Sequence, residues 1–165
     1  MTTISVLILM GSDSDAPVMQ GAVEILRDLQ IPCEMTVASA HRSPERVMRL
    51  VAEAPGRGVK VFIVGAGAAA HLAGVVAAHT TMPVIGVPID SSALKGWDAL
   101  LSTVQMPPGV PVATVSIGKP GATNAGVLAA QILAVGDPAI ADRVAAYKKR
   151  LAEKVEAAAA KLSGA

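Results

Sequence analysis

Aromatic residues are almost missing from this chain, which has one Phe, one Tyr and one Trp among 165 residues. Three rings cannot build a base-stacking platform, and 14 basic against 13 acidic residues give no positive field, so nucleic acid is not an expected partner. The same shortage argues against a flavin carrier, because aromatic side chains usually sandwich that ring. The single cysteine, Cys33, excludes an intrachain disulfide framework and a cysteine-rich zinc site. It reads as a small buried hydrophobe at the start of a strand. Met1-Thr2-Thr3-Ile4 carries no basic leader segment and is expected to run straight into a strand. The longest apolar stretch, residues 61–78, is rich in Gly and Ala, holds His71 and is broken by a glycine turn, so it does not read as a membrane span. A soluble, cytoplasmic protein is expected.

What the chain has instead is small aliphatic bulk. It is 52% apolar, so its core must be built from Ala, Val, Leu and Ile, and its 15 glycines suit tight turns at strand ends. The length suffices for one domain with a full core. Residues 4–10 form an unbroken apolar run, as expected of a strand buried on both faces. Further strands are predicted at 34–38, 59–64, 82–87 and 110–117. Between them lie helical patterns opened by Pro17, by Ser43-Pro44, by the 65–67 turn and near Asp98; a last one covers 125–135. Five strands alternating with helices predict an α/β fold with a parallel sheet covered on both faces and right-handed crossovers.

Asp137-Pro138 opens one more helix. Along it Ile140, Val144, Tyr147, Leu151, Val155, Ala158 and Leu162 make a heptad-like seam. The earlier helices already cover the sheet, so this seam is expected to pack on another subunit of a closed homo-oligomer. The chain is thus read as one domain over 1–165, with an α/β core at 1–136 and a C-terminal oligomerisation helix at 137–165.

In a parallel sheet the loops after the strands all leave from one edge, where open α/β sheets bind their ligands. Five such loops carry chemistry: 11–15, 39–42, 65–71, 88–96 and 118–124. Gly11-Ser12-Asp13-Ser14-Asp15 at a helix start suits an anion. Other readings of it are capping by Ser14 or Asp15, and Asp13 with Asp15 as a magnesium pair; Asp15 could also accept from ribose hydroxyls. Ser39-Ala40-His41-Arg42-Ser43-Pro44 offers a hydroxyl, an imidazole and a fixed cation within four residues. His41 is the proton-transfer candidate, since an ordinary imidazole titrates near pH ~6.5; the bland reading is a loop histidine bonded to backbone. The planar fork of Arg42 suits oxyanions, while Ser43-Pro44 reads as the cap of the next helix. The small residues of the 65–70 loop let backbone approach a ligand and leave a dry pocket. His71, read alone, fits a satisfied core position, and His79 reads as structural. The three histidines lack a metal-ligand spacing, so no metal is expected. Trp97 is a candidate lid, subunit contact or core residue, with Lys95 a flexible cation beside it or a plain surface lysine.

As an ordered set these motifs closely resemble the class I phosphoribosylaminoimidazole carboxylase catalytic subunits, the N5-carboxyaminoimidazole ribonucleotide (N5-CAIR) mutases of purine biosynthesis. The stretches are Met10-Gly11-Ser12-Asp13-Ser14-Asp15, Ser39-Ala40-His41-Arg42-Ser43-Pro44, Gly65-Ala66-Gly67-Ala68-Ala69-Ala70-His71-Leu72, Pro83-Val84-Ile85-Gly86-Val87-Pro88 and Val104-Gln105-Met106-Pro107. Matches continue through Pro111-Val112-Ala113-Thr114 and Asn124-Ala125 to Ala129-Ala130-Gln131-Ile132-Leu133, so that residues 5–135 are covered. The resemblance implies a flavodoxin-like three-layer sandwich, a homo-octamer, and conversion of N5-CAIR to 4-carboxy-5-aminoimidazole ribonucleotide (CAIR) without a cofactor or metal. It implies that His41 is the acid/base, that Ser12, Asp15 and Arg42 bind the ribonucleotide, and that Ser39 assists at the phosphate. His71 would lie near the imidazole and its carboxylate, with Gly67, Ala68 and Leu72 also along the substrate. An N5-CAIR synthetase is the implied functional partner. Four positions depart from the family pattern: Ala68 where Gly is usual, Ala73 for Pro, Ala99 for Ser, and a bulkier Trp97. Two other activities stay open here. One is direct carboxylation of aminoimidazole ribonucleotide (AIR) by carbon dioxide, the class II reaction, although His71-Leu72-Ala73-Gly74 looks more like class I. The other is a non-catalytic nucleotide-sensing module.

Overall fold

Val6–Met10 forms the first strand, β1, and all five side chains are buried. A strand with no wet face belongs inside a covered sheet. In the computed structural model, which describes residues 3–163, β1 pairs in parallel with β2 (Cys33–Val37) on one side and β3 (Val61–Gly67) on the other. β4 (Val84–Ile89) and β5 (Ala113–Thr114) complete a five-stranded parallel sheet of order β2-β1-β3-β4-β5. The architecture is the flavodoxin-like three-layer sandwich.

Successive β1 side chains serve opposite layers, as the two-residue period requires. Val6, Ile8 and Met10 join a core with Met19, Ala22 and Leu26 of α1 (Ala16–Asp28) and Ala122, Ala125 and Ala129 of α5 (Gly118–Ala134). Leu7 and Leu9 face Val47, Leu50 and Val51 of α2 (Pro44–Glu53), Leu72, Ala73 and Val76 of α3 (Leu72–Ala78), and Ala99 of α4 (Trp97–Val104).

Local chemistry moved several boundaries. The fifth strand, predicted over 110–117, is paired only at Ala113–Thr114. Pro107, Pro108 and Pro111 remove backbone donors around it, which limits the segment to a short edge strand. α5 starts at Gly118 rather than 125, because Pro120 lies in the first turn, where a missing N–H breaks no helical bond. β3 continues to Gly67 and a loop separates it from α3. Gly121 makes the α5 start possible: a Cβ there would lie 1.6 Å from the Ser116 carbonyl oxygen.

The last helix, α6 (Pro138–Ser163), is capped by Asp137, whose Oδ1 accepts from the N–H groups of Ala139 (3.0 Å) and Ile140 (3.2 Å). Its seam divides in two. Ile140 and Val144 are buried and Tyr147 packs against the same core as α1 and α5, while Arg143 Nε donates to the Leu29 carbonyl at 2.7 Å. From Leu151 to Ser163 every residue is exposed. No described helix is long and apolar enough to cross a membrane.

Gly121→Ala should lower the urea-unfolding free energy by about 2 kcal/mol or more, since the obstacle is backbone rather than a movable side chain. Gly136→Ala, where a Cβ meets nothing within 4 Å, should stay within ~0.5 kcal/mol of the parent.

Candidate active site

The chain leaves β1 for β2 on one side and later returns to β3 on the other. The crevice between the carboxyl ends of β1 and β3 is therefore open to ligand. Backbone bonds hold the three strand ends level: Gly11 N–H donates to the Gly65 carbonyl (3.2 Å) and Ala38 N–H to the Met10 carbonyl (2.8 Å).

After β1, Ser12 and Asp15 form a reciprocal capping box around the turn Asp13–Asp15. Ser14 N–H donates to Ser12 Oγ at 3.3 Å, and Ser12 N–H donates to Asp15 Oδ2 at 3.1 Å. Asp13 Oδ1 accepts from Ser14 N–H (3.0 Å) and the Ser12 hydroxyl (3.1 Å), so both aspartates of the magnesium reading are engaged in holding this turn. Asp15 is only 5% exposed. Burial pushes its carboxyl above the ordinary carboxylate range, against the opposing pull of the Ser12 N–H and the Arg42 cation.

After β2, residues 39–43 close a tight turn in which Ser43 N–H donates to the Ser39 carbonyl at 3.0 Å, and Pro44 begins α2. This turn braces Arg42. Ser39 Oγ accepts from its N–H (3.2 Å) and Nε (3.4 Å), and Arg42 Nη2 donates to the Gly11 carbonyl at 2.9 Å. The cation is thereby fixed between the β1 and β2 loops.

The β2 and β3 loops meet through two histidines. His41 Nε2 lies 2.7 Å from His71 Nδ1, with ring centroids 4.9 Å apart and planes at 82°. One nitrogen carries the hydrogen and the other accepts it. The loop bearing His71 turns through Ala68 at φ +51°, a left-handed conformation that glycine adopts without a Cβ penalty, which accounts physically for the glycine usual there in the resembled family.

These loops enclose a cleft of 340 Å³. Ser12, Asp15, Ser39 and Arg42 line it, as do His41, Gly67, His71 and Leu72. Eight of the nine residues singled out from the sequence thus share one cavity; Ala68 does not line it and is exposed. Trp97, 62% exposed, and Lys95 also lie off its lining, and His79 sits exposed at the end of α3. Cys33 is half-buried rather than buried, and desolvation raises its thiol. The sequence reading did not single out Ser91 or Arg46, and it gave Ser14 only as a capping residue within the Gly11–Asp15 anion motif. Ser14 and Ser91 line this cleft, and Arg46, with Arg42, lines an adjoining one of 400 Å³. Arg46 is anchored by Nε to the Val37 carbonyl (2.8 Å) and by Nη2 to Thr36 Oγ1 (3.0 Å). A larger cavity of 490 Å³ sits among residues such as Thr80, Met82, Val110 and Pro111, and its lining holds no ionisable side chain.

The chain is similar to known proteins over most of its length. A family model described as AIR carboxylase matches residues 5–154. The N5-carboxyaminoimidazole ribonucleotide mutase of Thermotoga maritima is 54% identical over 148 residues, covering 90% of this chain and 85% of that protein. The protein of the same name from Bacillus subtilis is 57% identical over 137 residues, covering 83% and 85%. The crystal structure of Treponema denticola PurE superposes with a TM-score of 0.85 at 32% identity, covering 95% of this chain and 97% of that one.

Asp15 gives a testable pH signature. Its raised carboxyl adds stability in acid, where both folded and unfolded forms are protonated. That contribution is lost as pH rises through the folded-state value. Asp15→Asn should therefore gain Tm over the parent as pH is raised from 3 to 7 (about the span of carboxylate titration). Melting curves of both proteins across that range check this.

Proposed function

The chain belongs to the AIR carboxylase family, and from that premise we propose how its cleft carries out the N5-carboxyaminoimidazole ribonucleotide mutase reaction. The observation that carries the reading is the His41–His71 contact beside a braced Arg42 and a buried Asp15 in a single cleft. Arg42, Ser12 and Ser39 supply the donors and cation that a phosphorylated ribose needs, and Asp15 accepts from ribose hydroxyls. Gly67, Ala69 and Leu72 give the other end an apolar wall suited to neutral carbon dioxide.

His41 acts twice. As the bond between the exocyclic nitrogen and the carboxylate breaks, its electron pair returns to nitrogen, which takes a proton from His41; carbon dioxide and AIR result. The electron-rich carbon 4 of the imidazole then attacks the trapped carbon dioxide. The proton left on carbon 4 passes back to His41, which regains its starting form while the product is CAIR. His71, hydrogen-bonded to His41, orients the ring. No cofactor or metal enters this scheme, and the site contributes proximity and orientation.

The reading extends to assembly and setting. Leu94, Trp97, Leu101 and Val104 make an uncovered apolar stripe on and before α4, and Leu151, Val155 and Leu162 another on α6. A homo-octamer would cover such surfaces. An N5-CAIR synthetase is the functional partner in this reading, in the cytoplasm, where a soluble ribonucleotide would be supplied.

The test is product formation from N5-CAIR, run beside AIR with bicarbonate held low. Rapid conversion of N5-CAIR alone supports the mutase; conversion only of AIR, rising with carbon dioxide, would replace it by direct carboxylation. His41→Asn should cut kcat by about 10²- to 10⁴-fold with substrate binding retained. Sedimentation should give about eight times the 16.6 kDa chain mass.

A further inference from the structure

Ser91 stands immediately beyond the end of β4, two residues after Ile89, and lines the same cleft as His41 and His71. The other hydroxyls of that lining make hydrogen bonds within their own loops, and the Ser39 hydroxyl, an acceptor there, keeps its hydrogen to donate. Ser12 bonds Asp13, Ser14 bonds Ser12, and Ser39 accepts from Arg42. Among the described residues, the Ser91 hydroxyl has no hydrogen-bond partner.

Ser91 is exposed on the cleft side, and two features locate it there. First, Gly67 is hollow beneath it: a Cβ on Gly67 would lie 1.8 Å from Ser91 Oγ and 2.8 Å from Ser91 Cβ. The missing side chain of Gly67 is thus the seat of the Ser91 side chain, at the point where the β3 and β4 loops touch. Second, the chain beyond Ser91 is pinned. Ser92 Oγ donates to Asp98 Oδ2 on α4 at 2.7 Å and accepts from Leu94 N–H at 3.1 Å. That hydroxyl also holds the Asp98 carboxyl below the ordinary range.

The migrating carboxylate has to be held at the histidine end, against Gly67, Ala69 and Leu72, where the wall is apolar and donors are few. A carboxylate in such a place needs a hydrogen-bond donor. We infer that Ser91 is a further substrate-contacting residue, whose hydroxyl, seated on Gly67, donates to the substrate carboxylate and thereby aligns it with carbon 4. This inference rests on the mutase reading of the cleft. It assigns Gly67 a distinct duty, that of making room for the hydroxyl.

The experiment compares Ser91→Ala with the parent protein in three measurements: turnover of N5-CAIR, equilibrium binding of CAIR, and equilibrium binding of AIR, which has the same ribonucleotide but no carboxylate. One hydrogen bond to a charged group corresponds to roughly 10- to 100-fold. The variant is expected to lose that factor in CAIR affinity and in kcat/KM for N5-CAIR while its AIR affinity stays within about twofold of the parent. Retained AIR binding also shows that the variant is folded. Equal loss for AIR and CAIR would make Ser91 a loop-packing residue and overturn the proposal, as would no loss for either. Failure of the parent itself to convert N5-CAIR would instead sink the mutase reading, and the CAIR-against-AIR contrast would still decide what Ser91 touches.

Discussion

The site depends on helices lying almost in contact with strand backbone. At Gly65 on β3, a Cβ would sit 2.3 Å from Met19 Sδ of α1, and at Gly86 on β4 another would sit 2.4 Å from Thr103 Cγ2 of α4. The two glycines serve opposite layers, so the sheet is gripped closely from both sides near its ligand edge. A core poor in rings and rich in alanine makes this possible, because close-packed interiors leave no slack for bulk to be absorbed. The strand ends are held level as a result, and loops separated by tens of residues meet within hydrogen-bonding distance.

Those loops divide the cleft into two electrostatic regions. On one side the guanidinium of Arg42 is tied to both the β1 and β2 loops, so its charge is placed before any ligand arrives. Such preorganisation means that little reorganisation is required on binding. On the other side the histidine pair is bordered by Gly67, Ala69 and Leu72. A ligand that is anionic at one end and must release a neutral apolar fragment at the other matches this division.

The sheet, its order of elements and the strand-end location of the site were legible in the sequence, because a fully buried strand writes itself as an unbroken apolar run and loops after parallel strands share an edge. The direct contact of the two histidines was not legible. His41 stood out as a proton-transfer candidate and the family resemblance set His71 near the substrate imidazole, but no spacing rule links residues on different loops; the level ends of β2 and β3 bring the two rings together. Ser91 was hidden because serine after a strand is unremarkable until Gly67 is seen beneath it. The start of α5 was obscured by Gly118 and Pro120, which read as breakers in sequence and act as an initiating turn in space. Ala68 stood out as an alanine where glycine is usual, and its positive φ supplies the reason.

The divided seam of α6 has a consequence for how that helix comes to exist. An isolated helix is limited by the unfavourable first turn, with a nucleation constant of about 10⁻³. In α6 that turn is set by the Asp137 cap and by Ile140 and Val144 in the core, so the exposed stretch to Ser163 only propagates a nucleus made elsewhere. Its alanine-rich sequence is well suited to propagation. The distal helix is thus an inherited structure: within one subunit its exposed turns rest on the capped and packed turns before them rather than on contacts of their own.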